Sequence, residues 1–360
     1  MLIRVPDYYG DFRCLAGACP HTCCEKWEVV IDEDTACRYF NVSGPLGDKL
    51  RAALRTDEEG DFCFPLDGGR CPFLDGENLC EIHRALGEEA TSVTCREHPR
   101  FIEDYGPFRE VTLSASCPAA NALLLGSDAP LTFLERAAAD PGEDGDAWLE
   151  YLLPLRARLL ALLEDRSFPL RRRLADFLSL AAEAQALLDG EREEGIPALS
   201  ESWRPSGGGS PAGERLLFPA ALRFLGTLER LDADWPALLR QAETVCPVPQ
   251  PEPLLERIAV YFAFRYLLKA VNDGDLLSRA QLCVFAVLAV ERLAAVCGLA
   301  EALRRFSCEI EHSSENLDAL LAGFWQMESL SWRSMLAELA DNRGQLCRST
   351  WENDSRLCKE

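Results

Sequence analysis

The sequence predicts a mainly α protein, in which a small, irregular α+β domain rich in cysteine precedes an α-helical domain. Ten of the sixteen cysteines lie between Cys14 and Cys117, in a stretch with few long apolar periods. From Leu131 onward, apolar residues recur at the spacing i, i+3, i+4 and i+7, which is typical of amphipathic helices. We therefore expect a cysteine-cluster domain over residues 1–126 and a helical domain over residues 127–360.

The composition indicates a globular chain and argues against nucleic acid as a partner. Hydrophobic residues make up 48% of the 360 residues, which is enough for two or three domains with a sizeable core. The net charge of −22 opposes binding to phosphate groups, since nucleic-acid binding needs a basic surface. The apolar run 280–290 is too short to cross a bilayer, so no membrane partner is expected. The amino terminus lacks the apolar core of a secretory signal, and together with the many thiols this predicts a cytoplasmic location.

Short elements are predicted in the first domain. A strand should end at Ile31, and Asp32 can cap the helix that follows. The remaining predictions are a helix over Pro45–Leu54, a strand at Phe62–Phe64, a helical turn at Glu81–Leu86 and a hairpin over 100–105 and 108–113. A domain this small and irregular buries little apolar surface, so we expect it to need a metal in order to fold.

Longer helices are predicted in the second domain. They span 148–163, 170–188, 214–231, 254–271, 276–297, 314–324 and 331–340. Residues 190–213 are rich in Gly, Ser and Pro and are predicted to form a flexible segment. Repeated prolines exclude a helix over 246–253. The helices over 254–271 and 276–297 are apolar on nearly every face, so they should be buried.

Eight cysteines form a candidate ligand set for a metal or a metal cluster. Four lie within eleven residues and four more follow at wide spacing: Cys14, Cys19, Cys23, Cys24, Cys71, Cys80, Cys95 and Cys117. Thiolates are soft donors that suit zinc or the iron of an iron–sulfur cluster. Because one cluster needs four thiolates, the sequence leaves open a cluster with an additional zinc. His21, His83 and His98 are alternative ligands.

Disulfides, buried core thiols and redox thiols fit these cysteines less well than metal ligands do. A disulfide framework is typical of short secreted chains. Buried thiols are common in protein cores, but that fits isolated positions such as Cys283 better than a cluster. Redox thiols of the C-x-x-C kind need a spacing that this segment lacks. The six cysteines that follow Cys117 should lie outside the ligand set: Cys246, Cys283, Cys297, Cys308, Cys347 and Cys358.

Several further motifs extend the cysteine pattern. They include Cys71-Pro-Phe-Leu, Cys95-x-x-x-Pro-Arg100, Leu113-Ser-x-Ser-Cys117-Pro, Tyr261-Phe-x-x-Arg265-Tyr and Glu309-Ile-Glu-His312-Ser-x-x-Asn316. With these motifs the chain resembles the flagellin lysine-N-methylase family, and its first domain looks like the cysteine-cluster domains that chelate zinc or iron. The resemblance implies methyl transfer from S-adenosylmethionine to lysines of a protein substrate such as flagellin. It also implies a [4Fe-4S] cluster in the first domain.

Methylation of lysine needs a neutral amine, a dry pocket and a proton acceptor. Glu309 and Glu311 are candidates to bind the ammonium group, and His312 is a candidate to relay its proton. The same segment fits the N-terminus of the following helix equally well. There a serine would cap the helix, and negatively charged side chains would interact favourably with the helix dipole. On the buried helix over 254–271, Arg265 is a candidate to hold the carboxylate of the methyl donor; the alternative is that it pairs with an internal glutamate. Tyr261 is a candidate to contact the sulfonium by a cation–π interaction; the alternative is that it packs in the core.

Two other classes of function stay open. The first is a non-catalytic zinc- or iron-binding interaction protein, and the second is a redox or metal-trafficking protein. The chain lacks the glycine-rich strand–loop–helix motif of common methyltransferases, since Ser206-Gly-Gly-Gly lies within the flexible segment. A Rossmann-like donor site is therefore not expected.

Overall fold

The computed structural model describes residues 1–25, 29–57, 60–205 and 217–340, which fall into two compact units. The cysteine-rich unit comprises Tyr8–Phe101 and Leu113–Leu123. The helical unit comprises Met1–Asp7, Ile102–Thr112 and the described residues from Leu124 onward. The domain boundary expected near residue 126 stays a prediction. Two segments that precede it, Met1–Asp7 and Ile102–Thr112, belong to the helical unit.

The protein is mainly α, as the sequence predicts. Its described strands are β1 (Leu2–Pro6), β2 (Val29–Ile31), β3 (Arg55–Thr56), β4 (Phe62–Phe64), β5 (Arg100–Asp104), β6 (Phe108–Leu113) and β7 (Phe133–Ala137). Its described α-helices are α1 (Glu33–Phe40), α2 (Gly44–Ala53), α3 (Glu81–Leu86), α4 (Val93–Glu97), α5 (Pro118–Leu124), α6 (Leu149–Glu164), α7 (Leu170–Leu188), α8 (Ile196–Ser202), α9 (Ala220–Leu225), α10 (Trp235–Thr244), α11 (Glu252–Tyr266), α12 (Leu276–Cys297), α13 (Leu299–Glu311), α14 (Ser314–Gln326) and α15 (Trp332–Ala340).

The cysteine-rich unit is built on a small antiparallel sheet in the order β2-β4-β3. The predicted cap is present, since Oδ1 of Asp32 accepts a hydrogen bond from the backbone N–H of Thr35 at the start of α1. The core is small, and its buried residues are Val29, Ile31, Ala36, Tyr39, Leu50, Leu54, Phe64, Phe73 and Ile82. Cys71 and Cys80 pack against this core, so two predicted ligands border the apolar cluster described for the unit.

The helical unit begins with the first residues of the chain. β1 lies between two strands of a four-stranded sheet of order β5-β6-β1-β7, parallel to β6 and antiparallel to β7. Neither β1 nor β7 is predicted from the sequence, which assigns helical periodicity from Leu131 onward. The predicted hairpin of β5 and β6 is present, but local periodicity does not show where β1 lies, because its partners are more than a hundred residues away.

Two buried helices form the centre of the helical unit. α12 packs against α11, α13 and α7. Asp275 caps α12 by accepting a hydrogen bond from Ser278 N, and Gly298 ends it with φ of 82°, a left-handed conformation that favours glycine. α12 is long and apolar enough to cross a membrane, but most of its apolar window is buried inside this unit, as in the core helix of a water-soluble domain. The prediction of two buried helices is confirmed.

Some helix predictions are wrong in extent. Over 214–231 the described residues form only the short helix α9, which follows Pro219 and ends at Gly226. The predicted flexible segment 190–213 contains α8, after which the buried indole of Trp203 donates a hydrogen bond to Glu183. Residues 206–213 lie outside the described residues. The helices α4, α5, α10 and α13 were not predicted.

Candidate functional site

All eight predicted metal ligands lie in the cysteine-rich unit, and they are thiols in the structure. Cys80 occupies the N-cap of α3, Cys95 lies within α4, and Cys117 directly precedes α5. The N-termini of α3 and α5 direct unpaired backbone N–H groups towards the sulfur atoms of Cys80 and Cys117. Local helix formation therefore positions three ligands that are far apart in the sequence.

Backbone N–H groups donate hydrogen bonds to five of the sulfur atoms, among them that of Cys95, which accepts from the backbone of Ser92. The Sγ of Cys14 accepts from Ala16 N at 3.4 Å, and the Sγ of Cys80 accepts from His83 N at 3.5 Å. Cys71 and Cys117 accept similar hydrogen bonds from the backbone of Phe73 and of Ala119 and Ala120, respectively. Because such donors favour the thiolate, they suit cysteines that bind a metal.

Cys71 and Cys95 share the same thiol neighbours. Burial raises the pKa of Cys71 to about 12, and the nearby thiols of Cys24, Cys95 and Cys80 raise it further than burial alone would. Burial also raises the pKa of Cys95 to about 11, with Cys24 and Cys80 again as the charged neighbours. The backbone agrees with this placement, because Cys71 N donates to Cys24 O at 2.8 Å. Cys24, Cys71, Cys80 and Cys95 are therefore neighbours in space.

Cys117 is influenced by the first two cysteines of the motif. Burial raises the pKa of Cys117, and the thiols of Cys19 and Cys14 raise it further. Cys14 and Cys19 flank the short 3-10 turn Ala16–Ala18, in which Cys19 N donates to Ala16 O at 3.0 Å.

Cys23 and Cys24 are joined by a hydrogen bond between their side chains. The thiol of Cys23 donates to Cys24, and this hydrogen bond raises the pKa of Cys23 far above its ordinary value. The same hydrogen bond lowers the pKa of Cys24 to about 7, with help from Thr22 and from the positive charge of Arg70, while burial opposes the shift. Cys24 is consequently the thiol of the pair that ionises near neutral pH.

Within the described residues, no three His, Cys, Asp or Glu side chains are placed closely enough to hold a metal ion as they stand. The eight thiols nevertheless suit zinc or an iron–sulfur cluster by donor type and by their grouping. Of the alternative ligands, His98 is held neutral because burial lowers its pKa to about 4. Cys283, Cys297, Cys308 and Cys246 belong to the helical unit, as expected, and Cys347 and Cys358 lie outside the described residues.

Asp32 links two helices of the cysteine-rich unit and was not predicted to do so. Besides capping α1, its carboxylate accepts from Val93 N through Oδ2 at 2.9 Å, which fixes the start of α4. Ser92 caps α4 by accepting from Cys95 N at 3.2 Å. Asp32 and Ser92 thereby hold the short helix that carries Cys95.

In the helical unit, three of the predicted site residues meet in one buried network. The carboxylate of Glu311, at the end of α13, accepts hydrogen bonds from Tyr261 at 3.1 Å and from Tyr266 at 3.1 Å. Nε of Arg265 lies 2.9 Å from Oε1 of Glu311. Ser307, one turn earlier on α13, donates to Oε2. The side chain of Glu311 has no exposed surface, so the pairing compensates a charge that would otherwise be costly to bury.

Glu309 and His312 do not join this network in any described hydrogen bond. Glu309 is buried and accepts from the backbone N–H groups of Leu231 and Asp232, at 3.1 and 2.6 Å. His312 is half-buried at the C-terminal end of α13. Ser313 caps α14 by accepting from Asn316 N, so the alternative interpretation of this segment as a helix N-terminus is correct for Ser313. The catalytic roles of Glu309, Glu311 and His312 stay predictions.

The buried network is chemically closed in its present arrangement. An ammonium group could reach Glu311 only by displacing Tyr261, Tyr266 or Arg265, each of which is itself buried. The open cavity of about 720 Å³ in the helical unit lies elsewhere, along Pro154, Pro197 and Arg204. The arrangement can therefore hold α11 against α13, and a direct role in catalysis would require it to open.

Comparison with known proteins matches part of the chain. The flagellar biosynthetic protein FliU of Salmonella muenchen is 27% identical over 129 residues, which are 34% of this chain and 76% of FliU. The lysine-N-methylases of Salmonella typhimurium and Salmonella choleraesuis are 26% and 28% identical over 140 residues, which are 37% of this chain. Part of this chain resembles the flagellin lysine-N-methylases. The resemblance expected from the sequence motifs is thereby confirmed.

The chain spans about a third of the length of the lysine-N-methylases it matches, since the matched stretch covers 35% of each of them. No family model and no solved structure matches the chain.

Proposed function

We propose that this chain is a protein-lysine N-methyltransferase that uses S-adenosylmethionine and depends on a thiolate-bound metal centre. The similarity to lysine-N-methylases supports the methyl transfer. The grouping of eight thiols in the cysteine-rich unit supports the metal centre, which we take to be a [4Fe-4S] cluster, with zinc as the alternative or additional metal. The net charge of −22 suits a protein substrate that presents lysine side chains, such as flagellin.

The transfer is a two-electron substitution that needs no oxidant or reductant. The neutral ε-amine of lysine forms a bond to the methyl carbon while the bond from that carbon to sulfur breaks. S-adenosylhomocysteine leaves, and the nitrogen loses one proton to a base or to water. The protein must therefore hold the two substrates in line and accept that proton.

The metal centre and the helical unit would contribute differently. The thiolates of the cysteine-rich unit would hold the metal centre, which would supply a binding site for the amino and carboxylate groups of the methyl donor. The cysteine-rich unit supplies the thiolates and the N–H groups that steady them. In the helical unit, Glu311, Arg265 and Tyr261 hold α11 and α13 together, and His312 at the end of α13 is the half-buried candidate for the proton.

A direct assay tests the proposal. Protein purified without oxygen is incubated with methyl-labelled S-adenosylmethionine and flagellin, and incorporation is located by mass spectrometry. We expect label on lysine side chains, and none on flagellin whose lysines have been acetylated. Metal-loaded protein that transfers no label to flagellin or to other lysine-rich proteins, and that does not bind S-adenosylmethionine, would overturn the proposal.

One observation favours a second candidate, a non-catalytic metal-binding interaction protein. Both predicted catalytic carboxylates, Glu309 and Glu311, are buried and used in hydrogen bonds within the helical unit. In that case the metal would serve only to fold the cysteine-rich unit. Equilibrium dialysis with S-adenosylmethionine separates the two, because only the methyltransferase binds the donor.

A further inference from the structure

The guanidinium of Arg100, the last residue of the motif Cys95-x-x-x-Pro-Arg, is held by two aromatic side chains of the cysteine-rich unit. Its Nε donates a hydrogen bond to the hydroxyl of Tyr9 at 3.0 Å. Its Cζ lies 5.9 Å from the ring centroid of Tyr9 and 5.6 Å from that of Phe12. All three side chains are half-buried, so the guanidinium is oriented while part of this group of residues stays open to solvent.

The other end of this guanidinium has no oxygen partner within the described residues. No described hydrogen bond or ion pair involves Nη1 or Nη2 of Arg100. The other arginines of the described unit all have one. Backbone carbonyls accept from Arg13, Arg38, Arg55 and Arg96. Carboxylates pair with Arg51, Arg70 and Arg84. In a chain with 59 Asp and Glu against 37 Lys and Arg, Arg100 thus presents a free pair of N–H groups.

A free pair of guanidinium N–H groups suits a carboxylate. The planar guanidinium matches the two oxygens of that anion, and hydrogen bonds between charged partners are stronger than neutral ones. Tyr9 and Phe12 orient the guanidinium before the anion binds, which lowers the entropy lost on binding. A lysine in this place would lack the planar geometry.

The Arg100 site, which consists of Arg100, Tyr9 and Phe12, adjoins a candidate metal ligand. Phe12 precedes Cys14 by two residues. Their Cα atoms are therefore no more than about 7 Å apart. An anion bound to Arg100 would consequently lie near the cysteine segment to which the metal centre is assigned.

We propose that the Arg100 site binds a carboxylate group, to which Nη1 and Nη2 of Arg100 donate hydrogen bonds. Two reactants of the methyl transfer carry such a group, namely the methionine part of the donor and the acidic side chains of a protein substrate. A carboxylate has about four lone pairs, so the donor's carboxylate can accept from Arg100 while it also contacts the metal centre. The choice of these two reactants rests on the proposed function, whereas the affinity for a carboxylate does not.

Chemical modification of the unaltered protein tests the site without relying on activity. Full-length protein, purified without oxygen, is treated with phenylglyoxal in sodium acetate or in sodium chloride of equal ionic strength. Modified arginines are then located by mass spectrometry. We expect acetate to slow the modification of Arg100 severalfold. Arg84 is the internal control, because it is exposed and already paired with Asp75, and it should react equally in both salts.

The two reactants are compared in the same assay. If the donor supplies the carboxylate, S-adenosylmethionine should protect Arg100 and its decarboxylated analogue should not. If the protein substrate supplies it, flagellin should protect Arg100 and flagellin with amidated carboxyl groups should not. Protection by acetate alone supports the site but contradicts its link to methyl transfer. If acetate, S-adenosylmethionine and flagellin all protect Arg100 no better than Arg84, the site is overturned.

Two variants separate charge from geometry. Arg100→Lys keeps the charge but loses the planar group, and Tyr9→Phe keeps the ring but loses the hydroxyl that orients Nε. Equilibrium dialysis measures the affinity for whichever of the two reactants protects Arg100. Arg100→Lys should weaken this binding by about 10-fold or more, Tyr9→Phe should weaken it less, and the control Arg84→Lys should leave it unchanged. Metal content and the midpoint of unfolding verify that each variant is folded. A folded Arg100→Lys variant that binds as tightly as the unaltered protein would overturn the site.

Discussion

Nε of Arg265 lies 2.9 Å from Oε1 of Glu311, and both side chains are buried in the helical unit. Arg265 also donates to the hydroxyl of Thr112 on β6 at 3.3 Å. This guanidinium therefore connects α11 to α13 and to the sheet. A charge pair in such a position strongly destabilises the fold when only one partner is removed.

Glu311→Ala should destabilise the helical unit by about 3–5 kcal/mol, because it leaves the charge of Arg265 buried without compensation. Chemical denaturation followed by circular dichroism measures this change. Asp318→Ala serves as the control, since Asp318 is an exposed carboxylate on the neighbouring helix α14, and it should change stability by less than about 0.5 kcal/mol. Equal effects of the two substitutions would contradict the proposed pairing.

His312→Ala tests the proton relay separately from the fold. If His312 accepts or relays the lysine proton, the turnover number should fall by about 100-fold, with metal content and the midpoint of unfolding unchanged. Steady-state methyl transfer across a range of pH gives the readout. Unaltered turnover would remove His312 from the reaction.

Asp32→Ala should weaken the cysteine-rich unit by about 1–2 kcal/mol, since the carboxylate caps α1 and also holds the start of α4. Hydrogen exchange should quicken at the amides of Thr35 and Val93. The matched control is Asp34→Ala, which removes an exposed carboxylate from the same first turn of α1. Slow exchange at Val93 in the Asp32 variant would show that α4 is held by other contacts.

Glu301 should contribute to stability in a pH-dependent way. Burial alone would raise its pKa, but hydrogen bonds from Arg304 and Arg305 lower it from 4.5 to about 2. Because the pKa is lower in the folded state, the stabilisation that ionised Glu301 provides is fully present above pH 4.5 and is lost as the pH falls towards 2. Urea denaturation of Glu301→Gln should show a shallower loss of stability over this range than the unaltered protein. If stability fell equally with pH in both proteins, the ion pairs of Glu301 with Arg304 and Arg305 would be contradicted.

Removal of metal should unfold the cysteine-rich unit while the helical unit survives. The apolar core of the cysteine-rich unit is small, and structural metal sites contribute about 10 kcal/mol to domains of this kind. Hydrogen exchange before and after chelation distinguishes the two units. Protection of β2 and β4 that persists after the metal is gone would show that the apolar core suffices.

Local patterns in the sequence predict the cysteine-rich unit and the buried helices, because spacing and periodicity are local properties. Ser307 was missed because α13 was not predicted, and a single residue, Gly298, separates α13 from α12. Once that helix is known, Ser307 lies four residues before Glu311 and faces the same way.

The position of β1 determines when the helical unit can be completed during synthesis. Leu2 pairs with Phe108 on one side and with Ala137 on the other, so β1 has neither partner until residues 7–107 have left the ribosome. Pairing over such sequence distances slows folding. Residues Tyr8–Phe101 of the cysteine-rich unit therefore leave the ribosome before β1 can pair. A shortened chain that starts at residue 127 would retain β7 without its neighbour β1, and its exposed edge would favour aggregation.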